Sequence, residues 1–306
     1  MNCTMIKTLI SIVGPTAIGK TALSIQLAEH FNAEIISADS RQFYKEMNIG
    51  TAVPSPEELR AVPHHFVQHK SIEDPYNVGD FESEAVLKIE ELHYKNPIAI
   101  MVGGSGLYVK AVTKGLDYFP EVDASIRTAL NKKIEEEGLL VLQEQLKSLD
   151  LRAYDTIAIA NPKRVIRALE ICIGTGYPYS SYLTNPEKNR PFNTVTVGLE
   201  GPRSVIYNRI NDRVDLMVQN GLLAEVESLM PFKHLNALNT VGYKELFEYF
   251  EGNTTLEFAI SEIKKNTRRF AKRQLTWFRK DESVQWFDYK SDLVDIIKSI
   301  EAKIYF

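Results

Sequence analysis

The sequence is poor in cysteine, has no long unbroken apolar run, and carries no excess of positive charge. Cys3 and Cys172 are the only cysteines in 306 residues. They cannot build a disulfide framework or a four-ligand zinc site, and they suit a reducing, cytoplasmic setting. No apolar stretch approaches the roughly 20 residues that a helical membrane span needs, so no membrane partner is expected. The Ile6–Val13 run has the look of a short signal-peptide core, but Lys7 and polar residues interrupt it and it leads into a glycine motif instead of a cleavage site. With a formal net charge of −4, any nucleic-acid partner must be met by a local basic patch and not by overall charge. Internal repeats and low-complexity tracts are also missing. What remains is an ordinary globular composition, 44% hydrophobic and 25% charged, long enough for one large core or a core with a smaller appended domain.

Three apolar runs end in small or polar residues: Lys7–Val13 at Gly14, Glu34–Ala38 at Asp39, and Ile98–Val102 at Gly103-Gly104-Ser105-Gly106. Helical periodicity follows the first in Lys20–Phe31 and the third in Leu107–Val112, and a further amphipathic helix spans Val78–Tyr94. Strands alternating with helices imply a parallel sheet, whose ligands bind beyond the carboxyl ends of the strands. All three strand ends should therefore face one cleft. From about Asp123 the character changes. Ser125–Glu137 and Leu139–Leu149 read as helices, and Asn161-Pro162 opens another that runs to about Gly174. A loop rich in Tyr, Ser, Asn and Pro covers Gly176–Pro191, and Thr194–Leu199 reads as a strand. After Arg203 the chain is mainly helical to about Lys280, with a last short strand at Val284–Asp288.

Gly14-Pro15-Thr16-Ala17-Ile18-Gly19-Lys20-Thr21 matches G-x-x-x-x-G-K-[ST] in full, with a strand before it and a helix after it, which is the context the motif requires. Backbone N–H groups of such a loop and of the helix start bind phosphate oxygens, Lys20 adds a point charge, and Thr21 can reach a Mg²⁺ ion. The fold expected is thus α/β: a P-loop NTPase-like parallel sheet flanked by helices, with a helical insertion domain. Residues 1–118 and 193–306 form the core with its C-terminal helices, and 119–192 the insertion. Asp39 sits at the second strand end, where it can hold a metal as a Walker-B aspartate does, serve as a general base, or simply cap a turn. Spacing alone does not decide among these. Gly103–Gly106 permits close backbone approach to a ligand but lacks dinucleotide-fingerprint spacing.

Lys264–Lys280 holds eight basic residues (Lys264, Lys265, Arg268, Arg269, Lys272, Arg273, Arg279, Lys280), no acidic one, and the interleaved Phe270, Trp277 and Phe278. A second basic stretch, with Lys163, Arg164 and Arg167, lies in the insertion. Together they suggest a clamp on a phosphate backbone. Arg209 and Arg213, at i and i+4, share a helix face and can reach the cleft. His64, His65 and His69 have no accompanying cysteine or carboxylate cluster and read as loop or packing residues; Cys172 reads as core.

These residues resemble the tRNA dimethylallyltransferase (tRNA isopentenyltransferase) family, bacterial type, over almost the whole chain. The blocks that carry the resemblance are 14–21, Asp-Ser-Arg-Gln-Phe-Tyr at 39–44, Asn-Ile-Gly-Thr-Ala at 48–52, Val-Gly-Gly-Ser-Gly-Leu-Tyr at 102–108, the run 161–170, Val-Gly-Tyr-Lys-Glu at 241–245, and Arg-Arg-Phe-Ala-Lys-Arg-Gln-Leu-Thr-Trp-Phe at 268–278. The resemblance implies transfer of a dimethylallyl group from its diphosphate to N6 of adenosine-37, beside the tRNA anticodon. It makes Asp39 the general base and residues 14–21, Thr16 and Lys20 foremost, the diphosphate cradle. Arg213 then assists the leaving group and Thr21 holds Mg²⁺. It places tRNA against Asp39, Ser40, Arg41, Gln42, Ser105, Arg127, Lys163, Arg164, Val165, Ile166, Arg167, Asn239, Thr240, Val241, Gly242, Tyr243 and Lys244. Arg269, Lys272 and Arg273 on the basic helix join them. The partners implied are the tRNA anticodon stem-loop and dimethylallyl diphosphate, and nothing demands more than a monomer. The family often has Arg where this chain has Lys244, which weakens a bidentate role there. Eukaryotic members add a C-terminal zinc finger that is not read here.

Two other readings share parts of this pattern. A P-loop kinase of a nucleotide or small metabolite would use the same strand ends but has no need for the basic helix. A non-catalytic RNA-binding switch gated by nucleotide would use the P-loop and the helix but not the chemistry of Asp39.

Overall fold

The structure, a computed structural model, describes residues 6–184 and 189–304. Cys3 and Asn185–Lys188 of the expected Tyr/Ser/Asn/Pro loop lie outside them. The elements run β1 (Thr8–Val13), α1 (Lys20–Phe31), β2 (Ile35–Ser37), α2 (Pro56–Ala61), β3 (His64–His65), α3 (Val78–Leu92), β4 (Ile98–Val102), α4 (Gly106–Lys114), α5 (Ala124–Glu137), α6 (Leu139–Leu149), α7 (Leu151–Thr156) and α8 (Pro162–Thr175). They continue as β5 (Asn193–Glu200), α9 (Arg203–Gln219), α10 (Leu222–Ser228), α11 (Tyr243–Phe250), α12 (Leu256–Phe278), β6 (Gln285–Asp288) and α13 (Leu293–Ile304).

The six strands form one parallel sheet in the order β3-β2-β4-β1-β5-β6. Its faces follow from the two-residue period of a strand. Leu9 and Val13 of β1 join one core cluster with Phe81, Ala85 and Ile89 of α3. Ile10 and Ile12 join the other, with Leu23 and Leu27 of α1 and Ile296 and Ile300 of α13. Both faces are covered, which is why β1 and β4 read as near-continuous apolar runs instead of alternating ones. Since every strand points the same way, the segments that follow β1, β2 and β4 emerge at one edge.

The chain divides into two compact units, residues 1–113 with 189–306 and residues 114–188. The division falls a few residues before the composition change at both ends. At the return, Phe192 is buried in the cluster beside the sheet, and Arg190 pairs with Glu82 of α3 at 2.7 Å. The smaller unit has its own core, in which Leu130, Leu142, Leu146, Ala153, Val165, Leu169 and Cys172 meet. Its helices start where the sequence supplies caps: Asp123 accepts from the Ser125 N–H at 2.8 Å, and Asn161 from the Lys163 N–H at 3.1 Å, with Pro162 at the first helical position.

Candidate active site

The loop after β1 needs glycine at both ends. Gly14 has φ 141°, and a Cβ there would sit 2.5 Å from the Leu199 carbonyl oxygen. Gly19 has φ 117° and opens α1 with no side-chain cap, so the first N–H groups of that helix are left for an external acceptor. Lys20, the first residue of α1, folds back over the loop, its Nζ donating to the Pro15 carbonyl at 2.9 Å. Burial lowers the Lys20 pKa to about 8; the Asp39 carboxylate pulls it up in part, and Arg213 pushes it down further. A cation held in so unfavourable a place, beside open N–H groups, is set to receive a polyanion.

Two arginines of α9, one turn apart, take different tasks. Arg209 donates to the Ile18 carbonyl at 3.1 Å and lies over the Tyr289 ring at 4.7 Å, so it supports the loop from behind. Arg213 donates to the Thr16 hydroxyl at 3.3 Å. Burial lowers its pKa, and the charges of Asp39 and Glu58 work against that shift. From α12 the buried Gln274 accepts from the Thr16 N–H at 2.8 Å and donates to the Gly104 carbonyl at 3.0 Å, tying the phosphate loop to the end of β4. The glutamine sits inside the basic run but on the buried stripe Ala259, Ile263, Ala271, Gln274, Phe278, and its helical spacing from those apolar residues is the signal that the sequence holds.

Asp39 follows β2. Its Oδ1 accepts from the Arg41 N–H at 3.1 Å, so the turn-forming role is real, and the carboxylate also borders open space. The ends of β2 and β4 are laced together by the Ala38 N–H to the Val102 carbonyl at 2.7 Å, and by the Ser40 N–H to Ser105 Oγ at 3.1 Å. A Cβ on Gly103 would meet the Ala38 carbonyl oxygen at 2.4 Å. We therefore expect Gly103→Ala to cost about 1–3 kcal/mol of stability, as an overpacked core does, and to lower turnover by moving Asp39. Chemical denaturation and steady-state rates on one preparation check both; a stable, fully active variant would show that the close approach is not needed.

Two cavities meet at this edge of the sheet. One, of about 750 Å³, is lined by Gly19, Lys20, Thr21, Ser37 and Gln42. The other, of about 740 Å³, is lined by Ser40, Arg41, Ser105, Tyr108, Asn239, Thr240, Val241, Gly242, Lys244, Phe270, Arg273 and Trp277. Thr16, Asp39, Thr51, Ala52, Gly104, Arg213 and Met217 border both.

The residues expected to contact RNA thus separate. Ser40, Arg41, Ser105, residues 239–242, Lys244 and Arg273 come together on the second cavity. Part of the Arg41 guanidinium is taken up by the carbonyls of Asn236 at 3.2 Å and Ala237 at 2.8 Å. Arg269 and Lys272 are exposed on α12 but do not line that cavity. Gln42 lies on the phosphate-loop cavity instead. Its amide nitrogen donates to the carbonyls of Thr51 (3.3 Å) and Ala52 (3.0 Å), and its oxygen accepts from Ser37 Oγ at 3.2 Å, so its side chain holds a loop. Tyr243 is fully buried, and its hydroxyl donates to Glu225 Oε1 at 2.7 Å, which removes the side chain from any RNA surface. Val165 and Ile166 are likewise interior, because the stripe of α8 they occupy fills the core of the smaller unit.

On that unit Lys163 and Arg164 are exposed. Arg127 binds Glu170 through two nitrogens, at 3.1 and 2.7 Å, and Arg167 binds it at 2.9 Å. Burial disfavours the Glu170 anion, yet the hydrogen bonds from the two arginines prevail and hold its carboxyl below the usual range. Two of the histidines are packing residues, His65 pairing with Glu34 at 2.6 Å and His69 sitting edge-on among Phe43, Phe66 and Tyr76, whereas His64 lines the phosphate-loop cavity.

Two cavities thus adjoin at the strand ends, with Asp39 bordering both. Residues 42–281 match the family model described as IPP transferase. The chain belongs to this family. It is 61% identical to the tRNA dimethylallyltransferase of Christiangramia forsetii, covering 97% of this chain and 98% of that one. It is 57% identical to that of Flavobacterium johnsoniae, covering 96% and 97%. Among solved structures it is similar to the full-length tRNA isopentenylpyrophosphate transferase of Bacillus halodurans, with a TM-score of 0.73, 40% identity and 97% of each chain covered. It is similar also to a eukaryotic dimethylallyltransferase described as acting on tRNA, with a TM-score of 0.78 and 28% identity, covering 97% of this chain and 77% of that one. That match takes in nearly all of this chain and leaves about a quarter of the longer eukaryotic chain outside it.

Proposed function

We propose that the protein transfers a dimethylallyl group from dimethylallyl diphosphate to N6 of adenosine-37 in the tRNA anticodon loop, releasing diphosphate. The observation that carries the reading is the pair of cavities that share Asp39, Thr16 and Arg213. Diphosphate rests on the 14–21 loop and Lys20. The unstacked base enters from the side of Arg273 and Trp277, which offer a charge for the backbone and an aromatic face. The N6 nitrogen attacks the allylic C1 as its bond to the diphosphate oxygen breaks, and Asp39 takes the N6 proton. Lys20 and Arg213 stabilise the negative charge that grows on the departing group, and Met217 and Ala52 give the carbon chain an apolar wall.

Mg²⁺ suits the site as an ion carried by the diphosphate. Among the described residues no cluster of three or more His, Cys, Asp or Glu can hold a metal, while the Thr21 residue lines the diphosphate cavity. Mg²⁺ is commonly held by one or two protein oxygens with phosphate oxygens and water. Thr21 would hold it there, and it would supply charge neutralisation to the leaving diphosphate. In this reading the protein acts in the cytoplasm as a monomer; separately, among the described residues no helix is long and apolar enough to cross a membrane.

The test supplies labelled dimethylallyl diphosphate and unmodified tRNA, and follows both the modified nucleoside and released diphosphate. We expect one diphosphate per prenylated adenosine. Consumption of ATP with a small acceptor, and indifference to dimethylallyl diphosphate, would show a kinase instead.

A further inference from the structure

The loop from Asn48 to Ala52 stands where the two cavities adjoin: Asn48 and Ile49 border the diphosphate side, Gly50 the RNA side, and Thr51 and Ala52 both. Its amides and its carbonyls are held by different elements. The carboxylate of Glu225, on α10, accepts from the N–H groups of Asn48 (3.0 Å), Ile49 (2.8 Å) and Gly50 (3.0 Å). Gln42 takes the carbonyls of Thr51 and Ala52, as above. The fourth bond to Glu225 comes from Tyr243, whose ring lies so close under Gly50 that a Cβ there would be 2.7 Å from it. Tyr243 belongs to the 239–244 segment on the RNA side. Ala52 carries a left-handed backbone, φ 50°, a conformation that alanine holds only when its surroundings impose it.

We propose that Glu225 is a positioning residue for the reaction, holding the 48–52 loop as a partition between the diphosphate and RNA chambers. Through Tyr243 it fixes that partition to the segment that meets the base. The inference rests on the prenyl-transfer reading. An anionic acceptor suits three converging N–H groups because a charged hydrogen bond is the stronger kind and no neutral side chain offers so many lone pairs in one place. A partition in register keeps the allylic carbon facing N6 and keeps water away from it. When it loosens, water oxygen bonds to C1, the C1–O bond to diphosphate breaks, and the water proton passes to solvent, giving dimethylallyl alcohol and diphosphate.

Glu225→Gln keeps the shape and turns one acceptor into an NH₂ group facing N–H donors. In the full-length enzyme we expect kcat to fall roughly tenfold to a hundredfold, the loss typical of a small misplacement of reacting groups. KM for tRNA should stay near wild type and the variant should remain folded at the assay temperature, while more diphosphate is released per prenylated adenosine. Unchanged kcat and unchanged stoichiometry overturn the inference, as does a loss that merely tracks the folded fraction. Should that variant fail to fold, Gly50→Ala displaces the same loop through the Tyr243 ring, and the same two readings decide. A wild-type control that prenylates no tRNA defeats the functional reading itself, and the control lane separates that failure from this one.

Discussion

Asp39→Asn is expected to lower kcat by about 10²–10⁴-fold, the usual worth of a general base, with tRNA affinity nearly unchanged. Asparagine is the informative replacement. It still accepts from the Arg41 N–H, so the turn after β2 survives while the capacity to take a proton is lost. Alanine would remove the turn as well and mix two effects. The substitution also removes the one charge that raises the Lys20 pKa, so the residual activity should lose its alkaline limb at lower pH than the wild type. Single-turnover rates and filter-binding affinities on the same preparations give the answer. A kcat equal to wild type would dismiss Asp39 as base, and a large loss of tRNA affinity would make it a recognition residue instead.

Lys20→Ala should cost about 10²–10³-fold in kcat, as removal of one preorganised group facing a developing anion does, and should raise KM for dimethylallyl diphosphate besides. The wild-type enzyme carries a pH signature of the same residue. With its pKa brought down to about 8, the free enzyme loses the ammonium as pH rises through that value, so kcat/KM for dimethylallyl diphosphate declines there. Bound diphosphate restores the proton, and calorimetry near pH 8 in buffers of different ionisation enthalpy should register proton uptake. Stability moves the opposite way. The folded state favours the neutral amine, so between about pH 8 and the ordinary value of 10.5 the unfolded chain binds the extra proton and the fold gains stability as pH rises. Lys20→Met should abolish both slopes. Persistence of the kcat/KM decline in that variant would assign it to another group.

The strand ends illustrate how far local pattern reaches. Gly14–Thr21 could be read because its geometry is local: a strand end, two glycines in left-handed backbone and a helix start within eight residues. The α8 start at Asn161-Pro162 was legible for the same reason. By contrast β3 is two residues long, too short for any period to register, and α13 carries no motif, whereas β2, only three residues long, was legible as an apolar run ending at Asp39. The resemblance sets Arg127, Arg167, Gln42 and Tyr243 against tRNA, yet the structure engages their polar groups on Glu170, on the 48–52 loop and on Glu225. Which partner a polar side chain finds depends on what packs opposite, and the partners here lie 3, 10, 18 and 43 positions away.

The phosphate loop, the parallel sheet and the basic helix were determined by the sequence itself, because each rests on the order of neighbouring residues and on periods of two or 3.6. Whether Asp39 faces the phosphate loop, that Gln274 leaves a basic helix to staple that loop to β4, and that the cavity is double were decided by the tertiary structure alone. Those features arise where segments hundreds of residues apart converge at one edge of the sheet, Thr16 and Gln274 being separated by 258 positions. A converging side chain acquires its role from the groups it meets, and adjacency along the chain carries no record of them.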